Sequence, residues 1–166
     1  MSTAFDWPWR QPRRWLALLA VGSLAMLAFG LYLQQVVGLE PCPMCIVQRY
    51  VLILIAVAAG VGAACRGASA PRWTGALLVL LALFGAFVAA RQSWLQWFPP
   101  DLYVCGRDLY GMIESFPLKR VIPMVFRGSG DCTKVDWTFL GLSIANWSFL
   151  YFVSCAALGG LLLRRR

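Results

Sequence analysis

The stretch PCPMCIVQRYVLILIAVAAGVGAA, Pro41 to Ala64, sets two cysteines three residues apart at the mouth of a long apolar run, with an arginine already inside it. From about Ile46 to Ala64 the run approaches the roughly 20 residues needed to cross a hydrocarbon layer. Three further runs have the same character, about Trp15–Leu33, Trp73–Ala90 and Ile144–Leu163. The chain has 166 residues, 60% of them hydrophobic and 13% charged. A water-soluble domain of about 150 residues buries only about 70% of its surface, too little to hide so much apolar area. Lipid is therefore the expected solvent. The expected fold is all-α: one integral membrane four-helix bundle over residues 1–166, with loops at about 34–45 and 92–143 on one side. The first run also carries signal-peptide features, Arg13 and Arg14 ahead of it and Ser23-Leu24-Ala25 within it. Three more spans favour an anchor over a cleaved leader.

Four spans put both termini on one side. That side holds eight basic residues (Arg10, Arg13, Arg14, Arg66, Arg72, Arg164, Arg165, Arg166) against Asp6 alone. The other side holds seven basic residues against six acidic ones. Positive charge beside short loops stays in the cytosol, so the termini and the Arg66–Arg72 turn are expected there, in a bacterial inner membrane. The net charge of +8 brackets apolar spans and forms no continuous patch, which excludes nucleic acid as the partner it serves. Tryptophans follow the same division. Trp7, Trp9, Trp15 and Trp73 fall near the inner face and Trp94, Trp97, Trp137 and Trp147 near the outer, as aromatic belts do.

Of six cysteines, Cys42, Cys45, Cys105 and Cys132 fall outside, where a periplasm permits disulfides. Four thiols allow three pairings; adjacency favours Cys42–Cys45 and Cys105–Cys132 without excluding the others. Cys65 and Cys155 lie at the inner end of the second span and within the fourth, and are expected to be small apolar packers.

The Cys42–Cys45 pair has a chemistry written around it. Pro43 has its φ pre-set for a first helical position and lacks the N–H that would be orphaned there. Cys42 then becomes the cap, Cys45 enters the first turn, and the positive end of the helix dipole favours a sulfur anion. Arg49 follows Cys45 by one turn on the same face, about 6 Å deeper. An arginine within a span is costly and marks a site or a partner. An inert staple is the alternative, but so small a ring constrains the unfolded chain little. Zinc would call for a second closely spaced pair, and Cys105 and Cys132 are far apart; there is no histidine and no haem-attachment motif, so no metal is expected.

The outer segment offers mobility. Gly106 follows Cys105, and Gly128-Ser129-Gly130-Asp131 precedes Cys132. Between them Leu118, Val121, Ile122 and Val125 recur at helical spacing opposite Lys119 and Arg120, which suggests a short interfacial helix bounded by Pro117 and Pro123; a buried connector is the other reading. Two cysteine pairs that can meet can exchange oxidising equivalents. No flavin or nucleotide fingerprint supplies the final acceptor, and a membrane quinone is what a dithiol at the lipid surface could reach.

These features together resemble the disulfide bond formation protein B (DsbB) family of quinone reductases. The resemblance rests on four spans, Cys42-Pro43-Met44-Cys45 with Arg49, and the outer text Ile122-Pro123-Met124-Val125-Phe126, Gly128-Ser129-Gly130-Asp131-Cys132 and Trp137-Thr138-Phe139-Leu140-Gly141-Leu142. It implies that Cys105 is attacked by a reduced DsbA-like periplasmic oxidase, and that Cys132 resolves the mixed disulfide or pairs transiently with Cys42. It also implies that Cys45 as a thiolate meets ubiquinone or menaquinone, with Arg49 binding the quinone. Some members carry an acid before that arginine and a histidine near the outer end of the third span. Gln48 and Gln92 stand there in this chain, so quinol protons must come from water or another group such as Glu40. Arg91 is a further candidate for quinone contact. A vitamin K epoxide reductase-like protein or a non-catalytic tetraspan scaffold would share the span count, but not the text around Cys132.

Overall fold

The computed structural model describes residues 11–39, 41–65, 70–99, 133–135 and 137–164. Four helices in it are long and apolar enough to cross a membrane: α1 (Pro12–Gln35), α2 (Pro43–Ala64), α3 (Ala70–Trp97) and α4 (Ile144–Leu163). The interfacial helix expected near Leu118–Val125 lies outside the described residues, as do Cys105, Cys132 and Glu40.

The helix ends follow local chemistry. Proline opens both α1 and α2 within the first two positions. At the end of α1, Gly38 adopts φ +79°, which favours glycine, and the Leu39 N–H returns to the Leu33 carbonyl at 3.1 Å. Arg13 Nε donates to the Ala63 carbonyl at 2.7 Å, so the start of α1 satisfies an orphan acceptor at the end of α2. α3 outlasts the third apolar run by two turns. Its residues Gln92, Ser93 and Leu95 turn into protein, and no proline intervenes before Pro99. Gln92–Trp97, expected in the outer loop, are thus helical.

Packing runs α1 on α2, α2 on α3 and α3 on α4. The shared core includes Leu16, Ile55, Ala59, Leu78, Ala82, Phe152 and Leu162. Alanine and glycine let the backbones approach, as membrane helices require when lipid gives no hydrophobic drive to associate. At the α3–α4 crossing a Cβ added to Gly75 would stand 2.9 Å from the Gly159 carbonyl oxygen, so the two backbones touch. Large apolar side chains such as Leu54, Val57, Leu80, Phe84 and Phe87 face outward and are exposed. That surface suits hydrocarbon, not water. Cys155 is buried in the core, as expected of a packer; Cys65, at the end of α2, is exposed and lies outside that core.

α1 and α4 do not pack along their lengths. Tyr151 bridges them: its hydroxyl donates to the Leu19 carbonyl at 3.2 Å and meets Ser23 Oγ at 2.8 Å. Nearer the dithiol end the two helices stay apart, and a β-hairpin closes the top. Strands β1 (Thr138–Phe139) and β2 (Leu142–Ser143) pair Thr138 with Ser143 and Phe139 with Leu142 around Leu140-Gly141, both at positive φ.

Candidate functional site

Cys42 caps α2. Its backbone is extended, its carbonyl accepts from Ile46 N–H, and its Sγ accepts from Cys45 N–H at 3.3 Å. Sulfur here does what a serine or aspartate oxygen does at other helix starts. It sits where the first-turn amides and the helix dipole converge, which favours negative charge on either sulfur. Met44 buries in one cluster with Cys42 and with Val88 and Leu95 of α3, fixing the turn against its neighbour.

The two-turn extension of α3 delivers Gln92 to this tip. Its Nε2 lies 3.3 Å from Cys42 Sγ and 3.2 Å from Cys45 Sγ, two N–H bonds for two sulfurs. Its Oε1 accepts from Gln48 Nε2 at 2.7 Å, and both glutamines are 4% exposed. Buried amides in lipid are costly unless paired, and these are paired.

One turn deeper, Arg49 reaches α1. Its Nη1 donates to Gln34 Oε1 and its Nη2 to the Gly30 carbonyl at 3.0 Å. Both acceptors are uncharged, so the guanidinium is held in place by two helices without being neutralised by them. A cation of this kind, half-buried one helical turn beyond Cys45, favours an anion in the space between them.

Cys45, Gln48, Arg49 and Gln92 line one cavity of about 670 Å³. Its walls continue along Met26, Phe29 and Leu33 of α1 and Trp147, Leu150 and Tyr151 of α4, the two helices that do not pack together. Phe29 of α1 and Leu150 of α4 both line it and are both exposed, so the cavity is not sealed between these two helices. Its roof is aromatic. Trp137 meets Phe29 edge-on at 5.4 Å and stacks on Phe139 at 6.1 Å, and Trp147 Nε1 donates to the Phe139 carbonyl at 3.1 Å. Ser143 Oγ donates to Gln96 Oε1 at 2.7 Å, tying the hairpin to α3. Of the four tryptophans expected near the outer face, Trp137 and Trp147 therefore wall the cavity, and Trp94 and Trp97 are exposed. The volume, the mostly apolar lining and a few convergent polar groups fit a flat, lipid-soluble ring with an apolar tail, such as a quinone.

Arg91 does not line the cavity; its neighbour Gln92 does. Gln34 and Gln96 join the site beyond the residues singled out from sequence, and Gln92, noted there only as standing in a histidine's place, joins it through its amide. The signal was there in outline, as glutamines at the ends of otherwise apolar runs.

A dithiol at a helix tip, beside a fixed cation and a mostly apolar cavity, defines a membrane-embedded thiol oxidoreductase. Residues 12–162 match the family model described as disulfide bond formation protein DsbB. A disulfide bond formation protein B of a Polaromonas species (strain JS666) is 67% identical over 163 residues, covering 98% of this chain and 95% of that one. The Acidovorax (strain JS42) protein of that name is 63% identical, with 96% and 92% covered, and the one from Aromatoleum aromaticum is 51% identical, with 91% of each covered. The chain belongs to the DsbB family. It is a membrane thiol:quinone oxidoreductase of disulfide bond formation, and neither a vitamin K epoxide reductase-like protein nor a passive scaffold.

Proposed function

We propose that Cys42 and Cys45 are the membrane end of a two-stage dithiol relay and that Cys105 and Cys132 are its outer end. In this relay a reduced DsbA-type partner attacks the Cys105–Cys132 disulfide at Cys105, and its second thiolate then releases Cys105. The partner leaves oxidised, and both electrons remain on Cys105 and Cys132. Cys132 attacks Cys42, displacing Cys45 as a thiolate, and Cys105 closes back on Cys132, which leaves Cys42 and Cys45 reduced. A quinone bound in the cavity supplies a two-electron acceptor, ubiquinone or menaquinone, and reoxidation of the Cys42–Cys45 pair returns it to a disulfide. Arg49, Gln92 and the helix tip favour the anionic Cys45 from which the electrons depart. The single observation that carries this reading is that Cys45 and Arg49 line one cavity, walled by α1 and α4. Arg91 is relegated to the rim: it neighbours the site on α3 without lining it.

The same reading sets the dithiol end in the periplasm and both termini in the cytosol of a bacterial inner membrane. Its support is the charge balance, eight basic residues against one acid on the side of the termini.

The test is quinone reduction by the purified protein given a reduced DsbA-type partner, with ubiquinone and menaquinone in separate arms. Cys45→Ser is expected to stop quinone reduction, and Cys105→Ala to abolish the trapped partner complex. A Cys45→Ser protein that still reduces quinone contradicts the assigned exit; a partner complex that survives Cys105→Ala contradicts the assigned point of attack.

A further inference from the structure

The sulfurs of Cys42 and Cys45 share one donor, and that donor has its own keeper. A glutamine amide can face a neighbour with either its nitrogen or its oxygen, and the partners decide which. Gln92 turns its nitrogen to the sulfurs because Gln48 Nε2 already holds its oxygen at 2.7 Å. With Gln92 alone reversed, its N–H groups would face those of Gln48 across the α2–α3 interface; with both reversed, the Gln92 carbonyl would face the sulfur that carries negative charge during exchange, and that charge disfavours it. The contact is deep: both side chains are nearly inaccessible. Neither amide titrates, so the donor is present at every pH.

We propose that Gln48 and Gln92 form a two-amide device that selects the anionic state of the dithiol. Gln92 is a catalytic residue that donates to the reacting sulfurs, and Gln48 is a positioning residue that fixes which end of Gln92 they meet. The inference rests on Cys45 working as an anion in the proposed relay. An N–H gives more to a thiolate than to a thiol or disulfide, so the pair favours the form that attacks and departs. Among the described residues, the other charged or titratable groups around the sulfurs are Arg49 on α2, Lys134 in the segment before β1 and Tyr151 on α4, all lining the same cavity. Arg91 lies beside Gln92 on α3, and α1 adds only the neutral Gln34 to the polar lining. None of these is altered by the substitutions below.

The device is tested on the full-length protein in detergent, with its cysteines reduced and no quinone added. The rate of iodoacetamide modification of Cys45 is followed by mass spectrometry across a pH series. Gln92→Met, which keeps length and removes the donor, is expected to slow modification about tenfold at neutral pH and to move the half-maximal rate about one unit higher. Gln48→Glu discriminates orientation from packing. While the introduced carboxyl is protonated it can still donate to Gln92 Oε1, and the rate stays near that of the unmodified protein. Once ionised it can only accept, so it draws the Gln92 nitrogen away from the sulfurs and the rate falls several-fold short on the alkaline side. Adding Gln92→His to Gln48→Glu supplies, as the imidazolium that the carboxylate favours, one N–H for the carboxylate and another for sulfur, and is expected to recover the rate over the pH range in which the imidazole stays protonated.

A Gln92→Met profile that overlays the unmodified one overturns the proposal, and so does a double variant as slow as Gln48→Glu alone over that pH range. Because the readout needs no quinone, its failure leaves the quinone reading standing. Failure of quinone reduction by the unmodified protein would sink that reading and leave this result intact.

Discussion

Arg49 on α2 donates to the Gly30 carbonyl of α1 at 3.0 Å, and this bond sets a fixed positive charge beside the cavity that Cys45 lines. The acceptor is a backbone oxygen, so the cation is placed by the path of α1 and not by a second charge. Arg49→Met is expected to lower kcat/KM for quinone by about 10–100-fold, the range for losing charge-assisted hydrogen bonds, with little change in helix content. Arg49→Lys keeps the charge but not the two-pronged reach to Gly30 and Gln34, and falls between. Gly30→Ala is the control: its Cβ meets Arg49 Nε at an ordinary 3.6 Å, and near-normal kinetics are expected. Steady-state quinone reduction at varied quinone concentration measures all three.

Adjacent glycines on α4 should behave oppositely. A Cβ at Gly159 would press within 3.0 Å of the Gly75 carbonyl, whereas one at Gly160 meets nothing within 4 Å. Gly159→Val is expected to destabilise the α3–α4 crossing by about 1–3 kcal/mol. Gly160→Ala should be neutral or stabilising by up to about 1 kcal/mol, since alanine loses less entropy in a helix. Thermal unfolding in one detergent compares them.

Tyr151 joins α1 to α4 where the helices otherwise stand apart, and it lines the cavity. Tyr151→Phe removes the bonds to Ser23 and Leu19 and is expected to cost about 1 kcal/mol. Because Ser23→Ala removes one of the same bonds, the double variant should lose less than the two single losses combined. Full additivity in the melting data would mean the two hydroxyls do not act together.

What the sequence disclosed was what neighbouring residues decide. Pro43 and Cys42 begin α2 because a fixed φ and a capping group act within one turn, and Arg49 shares a face with Cys45 because four residues make about one turn. The four spans were legible from length and apolarity alone. The role of Gln92 was not, because it depends on how α3 rotates against α2. Arg91 and Gln92 differ by one residue and so by about 100° around the helix, enough to send one into the cavity wall and leave the other off it. The hairpin over Leu140-Gly141 was equally hidden: its aromatic roof closes only when Trp137, Phe139 and Trp147 meet Phe29 of α1, far away in sequence. Cys65 and Cys155 looked alike as apolar packers, yet one ends a helix at the surface and the other is buried in the core.

The central claim is that electrons leave Cys45 into a quinone held between α1 and α4. Labelling with a photoreactive azido-quinone, followed by peptide mapping, tests it most directly. The label is expected on cavity residues such as Met26, Phe29, Trp147 or Leu150, to be suppressed by excess unlabelled quinone, and to weaken in Arg49→Met. Competable labelling confined to the outward faces of α2 and α3, at residues such as Val57 or Phe87, would contradict the account.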